Sequence, residues 1–377
     1  MIFTFEALEA QQGDCLMIHA GTVQSPVLVV IDGGPKGNYA NWLKPRLNAL
    51  QAAPAFAAGR KFGVDLLMVT HIDDDHIHGI IDLLADADAN WQIRQAWFNS
   101  FADVKAATQK AAHAAGLDDT QTSMVTGLPV DPHFGVTMAS VGQGRSLRDE
   151  LDERGIPMNG GVANLFTGGP PIVYTSADGS LTLRLLAPNK TALDRLQQTW
   201  ESTAIKAAAL DNAVENLSSL VVLAVCSGKT ILLTGDARGD RIVEGLQTAK
   251  LMPATGPLRV DVFKLPHHGS VRNCIPLMFA AIHARHYVIS ANGKNSNPDS
   301  EALCNLARSR QPTDDFQVHL TNDPSGPDLP LWAAPDKTSM KAQIDAALLQ
   351  FPWLKQKLVY PKLPGGSIQL DLLDQFN

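Results

Sequence analysis

Short apolar runs, separated by turns rich in glycine, aspartate and proline, alternate along this chain with stretches of helical period. Residues 1–9 alternate loosely and predict a strand. Beyond the turn Gln12-Gly13-Asp14, residues 15–19 predict a second strand and residues 27–31 a third. The third ends in Asp32-Gly33-Gly34-Pro35, where paired glycines permit close backbone approach. Residues 38–50 place Trp42, Leu43, Leu47 and Leu50 on one face of a helix. The run Leu66-Leu67-Met68-Val69 suits a strand buried on both faces. Residues 77–87 then predict a helix opened by Gly79, and residues 93–98 a strand.

From 101 to 170 the texture changes. Alanine-rich residues 101–115 and amphipathic residues 141–154 predict helices, followed by glycines and prolines over 155–171. Strands are expected at 181–186, 217–226, 230–233, 260–265, 286–290, 317–321 and 367–373, with Gly228-Lys229 as a hairpin turn. Helices are expected at 191–208, 238–249, 301–309 and 338–350. The layout is therefore one domain over 1–321 with a helical insertion at 101–170, and a C-terminal extension at 322–377 packed on the same domain. Neither repeats nor low-complexity tracts interrupt it.

Hydrophobic residues make up 45% of the 377, ample for a large core, and the net charge of −7 argues against a broad basic surface for passive nucleic-acid binding. An anionic substrate remains open, because bound divalent cations supply positive charge locally. Cys15, Cys226, Cys274 and Cys304 are scattered without a CxxC pair, so they read as small buried hydrophobes in a reducing cytosol. The N-terminus lacks the pattern of a signal peptide, and no apolar segment approaches about 18 residues, so a cytoplasmic protein with no membrane partner is expected.

The densest chemistry lies at Thr70-His71-Ile72-Asp73-Asp74-Asp75-His76-Ile77-His78-Gly79, just past the apolar run. Three carboxylates and three imidazoles in eight residues repel one another unless a cation neutralises them, so a metal site is preferred over a solvated acidic turn. Two further polar clusters follow predicted strands, Gly235-Asp236 and Pro266-His267-His268-Gly269-Ser270. Strand-end ligand sets of this kind, if they converge, provide what a dinuclear metal hydrolase needs.

His71-Ile72-Asp73-Asp74-Asp75-His76 resembles the HxHxDH signature of the metallo-β-lactamase-fold hydrolases. Gly13-Asp14-Cys15, Ile31-Asp32-Gly33-Gly34, Trp97-Phe98-Asn99, Asn216 to Ser219, Leu233-Thr234-Gly235-Asp236 and Lys264 to Ser270 resemble segments of the ComEC/Rec2-type hydrolase domain and its free-standing relatives, over about residues 1–321. The resemblance implies an α/β fold, an αββα sandwich of two mixed sheets with outer helices. It also implies two divalent cations, zinc or manganese, and a hydroxide bridging them as nucleophile. His71 and Asp73 would hold the first cation, Asp73 standing where the wider family has histidine. Asp75 and His76 would hold the second, Asp236 would bridge, and His267 would be the last ligand of the second cation, with His268 competing for that role or protonating the leaving group. His78, Asn99, Asn216 and Ser270 are the expected substrate contacts; an exposed His78, or one that supports a ligand from behind, and a helix cap for Ser270 compete with them.

The family's further histidine on the first cation has no evident counterpart, and Asn297-Pro298 stands where relatives often carry His-Pro. The oxygen-rich first site suits manganese better than an all-imidazole site would. Asp14 and Asp32 read as turn residues, His286 as structural, and Lys264 as a side chain whose stem snorkels. The resemblance favours phosphodiester cleavage of a nucleic acid or an anionic small molecule. Lactone, lactam or thioester hydrolysis, and a non-catalytic sensor or interaction module, are the alternatives. A homo-oligomer or partner-protein interface through the insertion or the extension stays open.

Overall fold

The computed structural model describes residues 1–53, 62–89, 91–99, 143–144, 146–194, 218–324, 339–362 and 366–374. Strands β1 (Ile2–Ala7), β2 (Leu16–Gly21) and β3 (Pro26–Ile31) form an antiparallel meander. A two-residue strand, β4 (Gly63–Val64), precedes β5 (Leu66–Val69), which runs parallel to β3. Beyond it, β6 (Gln92–Ile93) pairs with β4, and β7 (Ala96–Phe98) lies parallel to β5.

The second sheet begins with β8 (Val173–Thr175) and β9 (Thr182–Ala187), then the hairpin β10 (Val221–Cys226) and β11 (Lys229–Leu233), all antiparallel. It continues in parallel through β12 (Leu258–Lys264), β13 (Ile282–Ile289), β14 (Gln317–Leu320) and β15 (Leu358–Val359). The last strand, β16 (Ile368–Asp371), returns to the first sheet beside β1. The orders are therefore β16-β1-β2-β3-β5-β7 and β15-β14-β13-β12-β11-β10-β9-β8, and both sheets are mixed. Residues 322–377 thus supply an edge strand to each sheet.

Period-two alternation sorts each strand between two cores. Phe3, Phe5, Val29, Ile31, Leu66 and Met68 of the first sheet meet Leu183, Val222, Ile231, Leu233, Val262 and Val288 of the second in one intersheet core. Leu28, Val30, Leu67 and Val69 point the other way. They pack on helices α1 (Lys44–Gln51) and α2 (Asp74–Ala85) and on the helical residues 146–153. Across the molecule, Leu223, Leu232, Phe263, Tyr287 and Val318 cover the other outer face. There they meet α3 (Gly239–Thr248), α4 (Pro276–Ala281), α5 (Ser300–Arg308) and α6 (Met340–Gln350). Three cores separated by two sheets make an αββα sandwich, the architecture the resemblance implies.

Two local expectations change. Helix α2 starts at Asp74, three residues before the expected position, because the Asp73 carbonyl accepts the amides of His76 and Ile77 (2.9 and 3.0 Å). Gly79 therefore sits inside the helix, where it packs on Gly33: a Cβ on Gly79 would lie 2.0 Å from the Gly33 carbonyl oxygen. The strand expected over 93–98 is interrupted between β6 and β7. The helix expected over 101–115, most of that over 191–208, and residue Asn216 lie outside the described residues. Among the described residues, no helix is long and apolar enough to cross a membrane.

Candidate metal centre

The polar cluster gathers where β5, β11 and β12 end on one edge of the sandwich. Thr70 and His71 follow β5 directly, and Asp75 and His76 occupy the first turn of α2. Asp236 lies three residues past β11, and His267 and His268 lie in a tight turn just past β12. Parallel pairing of β11 with β12 aligns their C-terminal ends, which is why residues 31 positions apart in sequence become neighbours.

The Asp236 carboxylate is the centre of the arrangement. Oδ1 lies 3.3 Å from His76 Nε2, and Oδ2 lies 3.7 Å from His71 Nε2, 3.7 Å from His267 Nε2 and 3.9 Å from His268 Nε2. Asp73 Oδ2 stands 3.4 Å from His71 Nε2, and Asp75 Oδ2 stands 3.4 Å from His268 Nε2. Two buried trios, His71/His76/Asp236 and Asp14/His76/His268, each bring ligand atoms within 4.8 Å of one another.

Burial makes this convergence expensive for the bare side chains. His71 Nε2, His76 Nε2, His268 Nε2, Asp73 Oδ1 and Asp236 Oδ1 are buried without a hydrogen-bond partner. Orphaned nitrogen and oxygen atoms facing one small space fit a divalent cation, which would satisfy them together. The charges say the same. Burial opposes ionisation of Asp236, yet His267 first, then His76, His268 and His71, hold its carboxyl well below the usual range. Burial likewise disfavours charge on His76, but Asp236 and Asp32 push its pKa well up. His71 and His268 are raised against the same burial penalty by neighbouring carboxylates, Asp73 and Asp236 for the first, Asp236 and Asp75 for the second.

Nearby oxygens fix the ring orientations. His76 Nδ1 lies 2.9 Å from Asp32 Oδ2 and His268 Nδ1 lies 3.0 Å from the Ser290 carbonyl, so both donate from Nδ1 and turn the Nε2 lone pair inward. His71 Nδ1 lies 3.0 Å from the Thr70 hydroxyl, which itself donates to Asp32 at 2.7 Å. Metal-ligating histidines carry this kind of partner on their other nitrogen.

Sequence reasoning placed Asp14 and Asp32 in scaffold turns. Asp32 instead holds His76, and Asp14 enters the second trio while pairing with Lys264 at 2.8 Å. Lys264 does not snorkel: it is fully buried on an interior strand of the second sheet, and the Asp14 carboxylate satisfies its ammonium there. Glycine beside aspartate is a common turn signal, so the sequence carried little to mark either residue as special.

Of the expected substrate contacts, Asn216 lies outside the described residues, and His78, Asn99 and Ser270 have other partners. His78 faces Asp74 (2.8 Å) and Asp82 (3.9 Å) along α2 and meets Gln143. Both polar atoms of the Asn99 amide are used by the Leu165 backbone, at 2.9 and 2.6 Å. The Ser270 hydroxyl points to Asp299 at 3.5 Å. A recess of about 70 Å³ opens beside Ser219 and Ala237, the neighbours of Asp236, with Asn189, Arg241 and Glu244 on its wall.

No family model and no curated protein matches the chain. Among solved structures it is similar to Zn²⁺-bound PqqB from Methylobacterium extorquens. The identity is 10%, the match covers 84% of this chain and 97% of that one, and the TM-score is 0.42.

Proposed function

We propose that this chain is a binuclear metal-dependent hydrolase acting on phosphodiesters, with zinc or manganese as its cations. The observation that carries the reading is the convergence of four imidazole Nε2 atoms on the two oxygens of Asp236, with Asp73 and Asp75 flanking them. When bound, two divalent cations supply Lewis acidity and a nucleophile competent at neutral pH.

The chain's own groups do the positioning. Asp236 lies between the two ligand sets, so its two oxygens can serve both. Asp32, Thr70 and Ser290 hold His76, His71 and His268 by Nδ1. With Nδ1–H engaged and Nε2 aimed at carboxylates, His268 has the orientation of a ligand. The recess reaches the cluster only through Ser219 and Ala237, the neighbours of Asp236, and Arg241 on its wall is paired with Glu244 at 2.6 Å. The phosphodiester preference comes from the resemblance of the ligand turn and the His-His-Gly-Ser segment to ComEC/Rec2-type domains.

The test is a panel of bis-p-nitrophenyl phosphate, single-stranded DNA, nitrocefin and a lactone, each with Mn²⁺ or Zn²⁺. Turnover of the first two, abolished by chelator and by Asp236→Asn, is expected. Turnover of nitrocefin or the lactone alone would replace the phosphodiester assignment by the lactam or lactone one. Failure of the chain to take up two cations at saturation would leave the non-catalytic interaction module.

A further inference from the structure

His267 and His268 are adjacent, and both adopt left-handed backbone, with φ/ψ of 49/48 and 55/24, before Gly269 at φ 82. Two consecutive non-glycine residues in this region cost on the order of 1–2 kcal/mol each. The turn thereby sends two neighbouring rings apart, with centroids 5.9 Å from each other and planes at 84°. Both Nε2 atoms nevertheless approach the same oxygen, Asp236 Oδ2, at 3.7 and 3.9 Å.

The tautomer of His267 follows from its neighbours. Asn273 donates from Nδ2 to the Asp236 carbonyl at 2.7 Å, which fixes the amide so that Oδ1 faces His267 Nδ1 at 3.0 Å. His267 therefore donates from Nδ1 and presents an Nε2 lone pair to the cluster. This is the arrangement already seen for His71, His76 and His268. His268 is committed to the side of Asp75, His76 and Asp14. On the other side, His71 and Asp73 face each other at 3.4 Å, the His71 ring also lies beside that of His76 (centroids 4.1 Å), and the Asp236 oxygen that stands 3.7 Å from His71 Nε2 stands 3.7 Å from His267 Nε2 as well. His267 is also 30% exposed, so its ring has room to move the short distance that ligation needs.

We propose that the adjacent histidines serve different cations: His268 completes the second site with Asp75 and His76, and His267 completes the first with His71 and Asp73, with Asp236 shared. The first site thus regains the histidine that the sequence did not supply after the ligand turn. The proposal rests on the binuclear reading above.

The experiment counts bound Zn²⁺ in the full-length chain after equilibration against a weak competing chelator. Asn replaces each histidine because it tolerates left-handed backbone. The unaltered chain is expected to hold two ions, and His267→Asn and His268→Asn one each. Combining His267→Asn with His71→Asn should still leave one ion, because both changes fall in one site. Combining His267→Asn with His268→Asn should leave none. A count of two in His267→Asn, at an affinity within threefold of the unaltered chain, would overturn the proposal. So would one ion persisting in the His267/His268 double variant. Fewer than two ions in the unaltered chain would overturn the binuclear reading as well, so the failures are distinguishable. Should a variant misfold, as judged by circular dichroism, long-range ¹H–¹⁵N correlations of the unaltered chain decide. Zn²⁺ must then move the Nε2 resonances of both His267 and His268, and an unmoved His267 resonance would end the proposal.

Discussion

The carboxylate of Asp32 holds Nδ1 of His76 across 2.9 Å, with both side chains shut off from solvent. Asp32 reaches this position with φ at 57, and its other contacts, from the Thr70 amide (2.8 Å) and hydroxyl (2.7 Å), leave it no freedom to turn. An amide at this position can present its NH₂ to His76 and reverse the tautomer. Asp32→Asn is therefore expected to fold, because Asn tolerates the backbone, and to bind Zn²⁺ about 10- to 100-fold more weakly. Isothermal titration with Zn²⁺ checks it; unchanged affinity would show that Asp32 only shapes the turn.

Lys264 and Asp14 form the second relationship that reaches the site. Burial opposes ionisation of Asp14, but the Lys264 ammonium first, then His268 and His76, hold its carboxyl below the usual range. Removing one member of such a pair strands the other charge, at a cost of about 3–5 kcal/mol. Lys264→Met should lose about that much in urea unfolding, and the double variant Asp14→Asn/Lys264→Met should recover most of it. If the two losses simply add, the ion pair is not what keeps Lys264 inside.

Much of the site was legible because its information is local. The apolar run over 66–69 and the crowded ligands after it marked a strand, a turn and a candidate metal site without any long-range knowledge. Asp236 was legible for the same reason, as the acid at the end of a hairpin. The Asp14–Lys264 pair joins residues 250 positions apart, so no periodicity could reveal it. The division of labour between His267 and His268 depends on the sign of φ, which the letters His-His-Gly leave undetermined. Strands β8 and β15, three and two residues long, carry too little alternation to show. Asn99 looked like a rim residue because it ends a strand, yet the Leu165 backbone takes its amide.

The crossing of α2 over the first sheet depends on glycine. The Gly33 amide reaches the His76 carbonyl at 2.7 Å and the Gly79 amide reaches the Gly34 carbonyl at 3.0 Å, so backbone touches backbone. With a Cβ on Gly79 falling 2.0 Å from the Gly33 oxygen, the helix must shift. Gly79→Ala should cost roughly 1–3 kcal/mol, and it should weaken Zn²⁺ binding, because His76 and Asp75 ride on the same helix. A variant as stable as the parent with intact Zn²⁺ affinity would refute the rigid coupling.

Acid should destabilise this chain in two stages, and a group outside the metal centre contributes to each. His319, 5% exposed, has its pKa lowered from 6.5 to about 4, first by burial and then by repulsion from His286, whose Nδ1 lies 3.1 Å away. A base whose folded pKa is depressed stabilises the fold above its unfolded value, here 6.5, and that stability drains as pH falls toward 4. Glu6 is fully buried. Burial alone would raise its pKa, but His19 and then Arg46 bring it from 4.5 down to about 2. Its contribution is complete above pH 4.5 and is lost as pH falls toward 2. Each difference corresponds to on the order of 3 kcal/mol. Urea unfolding of the metal-free chain between pH 8 and 3 should therefore steepen in its pH dependence below 6.5. His319→Leu should flatten the upper stage and leave the lower one, whereas Glu6→Gln should make the lower stage shallower, the depressed carboxyls of Asp14 and Asp236 keeping the remainder, and leave the upper. A parent and His319→Leu with the same slope between pH 6.5 and 4 would mean that the His286/His319 pair already carries a proton at neutral pH.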